Sequence, residues 1–155
     1  MIIKEQRGKR GLLFTIHHLP LIILLLFGCK TVEPLDDASA NLNLWNEKKI
    51  ENYSFSFKRI CFCPVEYVGP HQVVVQNGKV VTVNGLPYNS SERYGVMYTI
   101  PELLQVIKVN LDKNPAKKTL NFNPTYGYPT SAFFDFSEMM ADDEIGYEVT
   151  NFKIN

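Results

Sequence analysis

Asn77-Gly78 lies between two β-rich runs, His71–Gln76 and Lys79–Val83, and constrains the architecture more than any other residue pair in the chain. A two-residue type I′ turn requires positive φ at both central positions, which Asn and Gly adopt readily and most residues do not. The chain must double back there as an antiparallel hairpin. Just upstream, Tyr53-Ser-Phe55-Ser-Phe57 alternates apolar and polar side chains with the period of a half-buried strand. Tyr53, Phe55, Phe57, Cys61 and Cys63 fall on one face, Ser54, Ser56 and Lys58 on the other, and Pro64 is the expected end of the strand.

The remaining elements follow from weaker signals. Asn41 reads as a helix cap ahead of a sparse stripe of Leu42, Trp45 and Ile50. Asn84–Tyr98, with Gly85, Pro87, Asn89, Ser90, Ser91 and Gly95, reads as a long surface loop. Thr99-Ile-Pro-Glu102 is a capping box, and Ile100, Leu103, Leu104, Ile107 and Leu111 recur at helical spacing until Asn114-Pro115. Thr119–Asn123, Ser131–Phe136 and Tyr147–Ile154 are expected strands. The reading is an α+β domain over residues 41–155. It has an antiparallel sheet of about five or six strands, two helices on one face and the order αβββαβββ. The two αβββ halves hint at a repeat without establishing one. With 45% hydrophobic and 21% charged residues, the composition is that of a globular chain.

The start of the chain has a different physics. Residues 1–28 carry Lys4, Arg7, Lys9 and Arg10 against Glu5, which leaves twelve basic and fifteen acidic side chains after them, a net of −3. A mildly acidic domain without a basic cluster offers no footprint for nucleic acid. After the basic stretch, an apolar stretch from Gly11 to Phe27 is interrupted by His17, His18 and Pro20. Its unbroken part, Leu21–Phe27, is far short of the ~20 residues that span a hydrocarbon core. A charged segment, a short apolar segment and a small residue before a cut site make a secretory signal; an uncleaved anchor is the alternative.

Leu26-Phe27-Gly28-Cys29 resembles the lipobox of bacterial lipoproteins. The resemblance implies cleavage before Cys29, diacylglycerol on its thiol, and attachment to the membrane through acyl chains. Lys30, in place of the aspartate of the enteric inner-membrane retention signal, leans toward the outer membrane in a Gram-negative organism. Residues 29–40, with Pro34, Asp36, Asp37 and Ser39, then read as a tether.

The mature part also resembles an uncharacterised family of bacterial lipoproteins that share a domain of unknown function. Trp45, Tyr53-Ser-Phe55, Cys61-Phe-Cys63-Pro64, Asn77-Gly-Lys79-Val80, Gly127-Tyr-Pro129, Asp135 and Asp142-Asp-Glu144 carry that likeness. It implies an exported α+β domain and no particular activity.

Few residues are suited to catalysis. After cleavage His71 is the remaining histidine, which argues against a two-histidine metal site or a serine–histidine triad; a partly exposed structural role is expected for it. No phosphate-cradling glycine loop or Gly-x-Ser-x-Gly elbow is present. No catalytic residue and no cofactor are therefore assigned. Cys61 and Cys63 are the sharpest feature, because exported cysteines often pair. Two positions along an extended strand lie ~6.6–6.8 Å apart, so joining this pair requires a local bend. The pair is structural, or it is a thiol-exchange site. Asp135, Asp142, Asp143 and Glu144 are calcium candidates by charge, but their spacing does not match a calcium loop, and a solvated acidic turn explains them as well. Tyr88, Tyr94, Tyr98, Tyr126 and Tyr128 either face a partner from loops or pack on the domain's own sheet.

The leading expectation is a lipid-anchored, non-catalytic cell-envelope module that binds an envelope protein or peptide. The alternatives are a thiol–disulfide protein using Cys61 and Cys63, and a calcium-stabilised module.

Overall fold

The computed structural model describes residues 36–89, 93–140 and 142–155. The signal segment, Cys29 and most of the tether lie outside the described residues. Among the described residues, no helix is long and apolar enough to cross a membrane.

Helix α1 spans Asp37–Lys48 and begins earlier than expected. Asp36, not Asn41, is its cap. The Asp36 carboxylate accepts from the Ser39 amide and the Ser39 hydroxyl, both at 2.8 Å. Burial alone would raise the Asp36 pKa, but these bonds and the nearby Lys108 hold it below the usual carboxylate range. Asp36, Asp37 and Ser39 therefore start the domain, and the expected tether does not reach Ala40. The polar composition that suggested a linker is that of a helix N-terminus.

Strand β1 is Tyr53–Ile60, followed by the short helix α2, Val65–Val68. Strands β2, His71–Gln76, and β3, Lys79–Val83, form the hairpin expected at Asn77-Gly78, with φ of 50° and 69° at its two turn residues. A second turn of the same kind, Asn84-Gly85 with φ of 51° and 78°, leads into the two-residue strand β4, Leu86–Pro87. The expected loop from Asn84 thus opens with a hairpin that the following Pro87 kept from reading as one. Helix α3, Ile100–Asp112, starts at the expected capping box: Thr99 N–H donates to Glu102 Oε2 at 2.8 Å. Strands β5, Lys117–Phe122, β6, Pro129–Asp135, and β7, Ile145–Ile154, complete the chain.

The sheet has seven strands in the order β4-β3-β2-β1-β7-β6-β5, with every neighbouring pair antiparallel. The α+β antiparallel class is as expected, but the strand count rises to seven and a third, short helix is added. The two halves are not repeats of one topology. From α1 the chain enters the sheet at its centre and works outward; from α3 it enters at the far edge and works inward to β7, which pairs with β1.

On one face, Tyr53, Phe55 and Phe57 of β1 meet Val73 and Val75, Ala132 and Phe134, and Tyr147 and Val149. Ala38 and Trp45 of α1 and Ile100, Leu103, Leu104 and Ile107 of α3 join the same core. The other face carries polar pairs at its middle: Ser56 bonds Gln72 and Asn151, and Lys58 pairs with Glu148 at 3.2 Å. A period-two pattern placed Ser54, Ser56 and Lys58 there because water can solvate that face.

Candidate functional site

The candidate site forms where β1 stops. Cys61 and Cys63 are joined by a disulfide, with Cα atoms 5.3 Å apart. The strand ends at Ile60, so the cysteines do not continue its apolar face as the alternation suggested. A Cys-x-Cys link requires the bend that an extended strand lacks, and the bend ends the pairing before Pro64 is reached.

Arg59 takes the core-facing position that the alternation had passed over. It is 9% exposed and paired across the sheet with Tyr147. Its Nη1 donates to the Tyr67 carbonyl at 3.0 Å and its Nη2 to the Val96 carbonyl at 2.6 Å. The guanidinium lies 5.3 Å from the centroid of the Phe57 ring. Arg59 thereby ties α2 and the segment before α3 to the end of β1. Among the described residues it has no ion-pair partner. Its sequence signal was its register: two residues after Phe57, on the buried side.

Two depressions flank the disulfide. One, of about 330 Å³, is lined by Ile60, Cys61, Phe62, Phe133, Asp142 and Glu144. Two features that sequence reasoning treated separately, the cysteine pair and part of the acidic group, thus meet. The second, of about 370 Å³, includes Arg59, Cys63, Tyr67, Val96, Tyr98 and Tyr147. Phe62, at the tip between the cysteines, is 82% exposed. Val65 after it is exposed, as are Met139 and Met140 in the β6–β7 connection. Since Ile60 pairs with Gly146 and Phe134 with Ile145, both loops leave the same end of the sheet.

The acidic group does not converge. Asp135 caps the turn that follows β6, accepting from Ser137 N–H at 3.2 Å, while Asp142 and Glu144 line the first depression. Both Asp143 carboxylate oxygens are buried without a hydrogen-bond partner among the described residues. Among the described residues, no three His, Cys, Asp or Glu side chains gather to hold a metal ion.

His71 is buried rather than partly exposed. Asn84 Oδ1 accepts from Gln72 N–H at 2.8 Å, which turns the Asn84 amide nitrogen toward His71 Nδ1 at 3.1 Å. Nδ1 therefore accepts and the ring proton sits on Nε2, which makes no full hydrogen bond among the described residues. Burial pushes the imidazole pKa down, and the Arg59 charge adds to that against the backbone of Glu66 and Tyr67.

The loop tyrosines pack on the domain itself. Tyr88 Oη accepts from Met97 N–H at 2.7 Å, Tyr94 lies over His71, and Tyr126 and Tyr128 contact Phe152. Tyr98 meets Phe57 and Tyr147 edge-on. Burial pushes the Tyr147 phenol up to about 12. The most exposed aromatic at the candidate site is Phe62, which the tyrosine pattern did not indicate.

A family described as "Family of unknown function (DUF6174)" matches residues 37–154, from the first residue of α1 to the last of β7. The chain belongs to this family. No curated protein and no solved structure matches the chain. The DUF6174 match begins with α1, in line with a domain that starts at the Asp36 cap. The DUF6174 description names no activity.

Proposed function

We propose that this chain is a lipid-anchored cell-envelope protein whose DUF6174 domain binds a protein partner through the disulfide end of its sheet and has no catalytic activity. The exposure of Phe62, beside exposed Val65, Met139 and Met140 on neighbouring loops, carries the proposal. Large apolar side chains gathered at one end are costly to leave in water, and aromatic and methionine side chains are enriched where proteins meet. The disulfide at the base of the Phe62 loop limits the entropy that binding would have to remove. Leu26-Phe27-Gly28-Cys29 supplies the anchor in this reading.

A photo-crosslinking residue at Val65 of the full chain, irradiated in cells, should give a discrete adduct. Phe62→Ser should remove the adduct, and a crosslinker at Asn121 should give none. No adduct at Val65, or one indifferent to Phe62, would overturn the binding surface. Labelled palmitate should enter the full chain and not its Cys29→Ala variant; equal labelling of both would overturn the anchor.

A second reading, thiol–disulfide exchange, is favoured by one observation: Cys63 lines the same depression as Arg59, whose charge favours a thiolate. It requires exchange with a model disulfide that Cys61→Ser abolishes.

A further inference from the structure

Arg59 is a fixed positive charge that the fold buries without a carboxylate among the described residues. Charges removed from water are normally paired, because desolvation costs several kcal/mol per ion even after relaxation. Two carbonyls occupy two of the five guanidinium N–H donors. They orient the group but leave its net charge in place.

The depression beside Arg59 is suited to one kind of ligand. It is lined by Tyr67, Tyr98 and Tyr147, with Val96 and Ile145. At about 370 Å³ it falls within the size range of small-molecule sites. Gly95 contributes a wall without a side chain; a Cβ there would stand 3.4 Å from the Tyr67 ring. One guanidinium matches one carboxylate in a forked, two-bond geometry, and the two charges cancel one for one. The aromatic walls suit an apolar group attached to that carboxylate.

We propose that the Arg59 depression is a binding site for a carboxylate carried on a bulky apolar group, either the C-terminus of a peptide or a free arylalkyl acid. Arg59 pairs with the carboxylate, and the apolar part lies against Tyr67, Tyr98 and Tyr147. The site is separate from the Phe62 surface, since Cys63 faces this depression and Cys61 the other.

The test is calorimetric titration of the full chain in detergent micelles with four probes: phenylacetate, phenylacetamide, Ala-Ala-Phe with a free C-terminus, and its C-terminal amide. Each acid should bind at least tenfold more tightly than its amide. A tripeptide acid at least tenfold tighter than phenylacetate assigns the site to peptide termini, and equal affinities assign it to free acids. Arg59→Lys should weaken the acids and spare the amides. Because Arg59 also ties two loops together, Val96→Glu provides a second variant: Val96 is exposed, and a carboxylate there repels the ligand without removing a core contact. Val96→Glu should abolish the acid–amide difference, while Phe62→Ser should leave it intact. Absence of acid binding, equal binding of acids and amides, or a difference that survives Val96→Glu would overturn the proposal.

Discussion

At the Tyr53 end of β1, the chain is closed by aromatic packing; at the Arg59 end, it is closed by a charge, two carbonyls and a disulfide. Tyr53 is 1% exposed, lies 5.1 Å from Trp45 and 5.8 Å from Phe152 between ring centroids, and accepts the Ile100 N–H at 2.9 Å on its hydroxyl. Burial pushes its phenol up to about 12. Burial alternates evenly along β1, buried then half-buried, from one end to the other. Equal burial therefore serves two purposes. Rings that touch rings hold the sheet to its helices. A guanidinium held by carbonyls instead ties α2 and the segment before α3 to the end of β1.

Variants can break this contrast, beginning with the filled end. Trp45→Ala should cost ~3–5 kcal/mol by denaturant unfolding, since it removes a buried indole shared by Tyr53 and Phe152. A cost below ~1 kcal/mol would mean that the aromatic end is not what holds α1.

Arg59→Met keeps length and apolar bulk but removes both bonds to the Tyr67 and Val96 carbonyls. The expected loss is about 1–3 kcal/mol. Hydrogen exchange should quicken in α2 and around Val96 but not around Trp45. Uniform quickening would show that the two ends are not separable.

Proton linkage at His71 should be smaller still. Its folded pKa lies below its value in the unfolded chain, about 6.5, so within that window the unfolded state binds the proton and the folded state does not. Stability is complete above about pH 6.5 and falls as pH drops toward the folded pKa. Melting temperature should decline across that range, and His71→Gln should flatten the decline. An unchanged profile in the variant would assign the proton uptake elsewhere.

Phe62→Ser should alter stability least, by under ~0.5 kcal/mol, because the ring is already in water. A larger loss would show that Phe62 packs on the domain and would remove the basis for the proposed binding surface.

The legible parts of the molecule were those set by neighbours in the chain. Asn77-Gly78 specified its turn because only local φ values were at issue, and Thr99 with Glu102 specified a helix start because both partners of the capping box lie within one turn. Asn84-Gly85 carried the same turn signal, but Pro87 cut its strand to two residues, and a strand that short leaves no periodicity to read. Asp36 was read as linker because a cap and a polar tether share composition; only the bond to Ser39 separates them.

The alternation from Tyr53 to Phe57 determined by itself which side of β1 is buried, and the Cys-x-Cys spacing determined that the chain must bend there if the cysteines pair. Tertiary structure alone decided that Arg59 would be held there by two carbonyls rather than by a carboxylate among the described residues, that Cys61 would line a depression with Asp142 and Glu144, and that the loop tyrosines would turn inward while Phe62 stayed out. Those outcomes depend on β7 pairing with β1 and on the segment before α3 reaching the end of β1. Contacts between residues some 37 to 90 positions apart are fixed by the packing of the whole sheet and leave no periodic trace in the sequence.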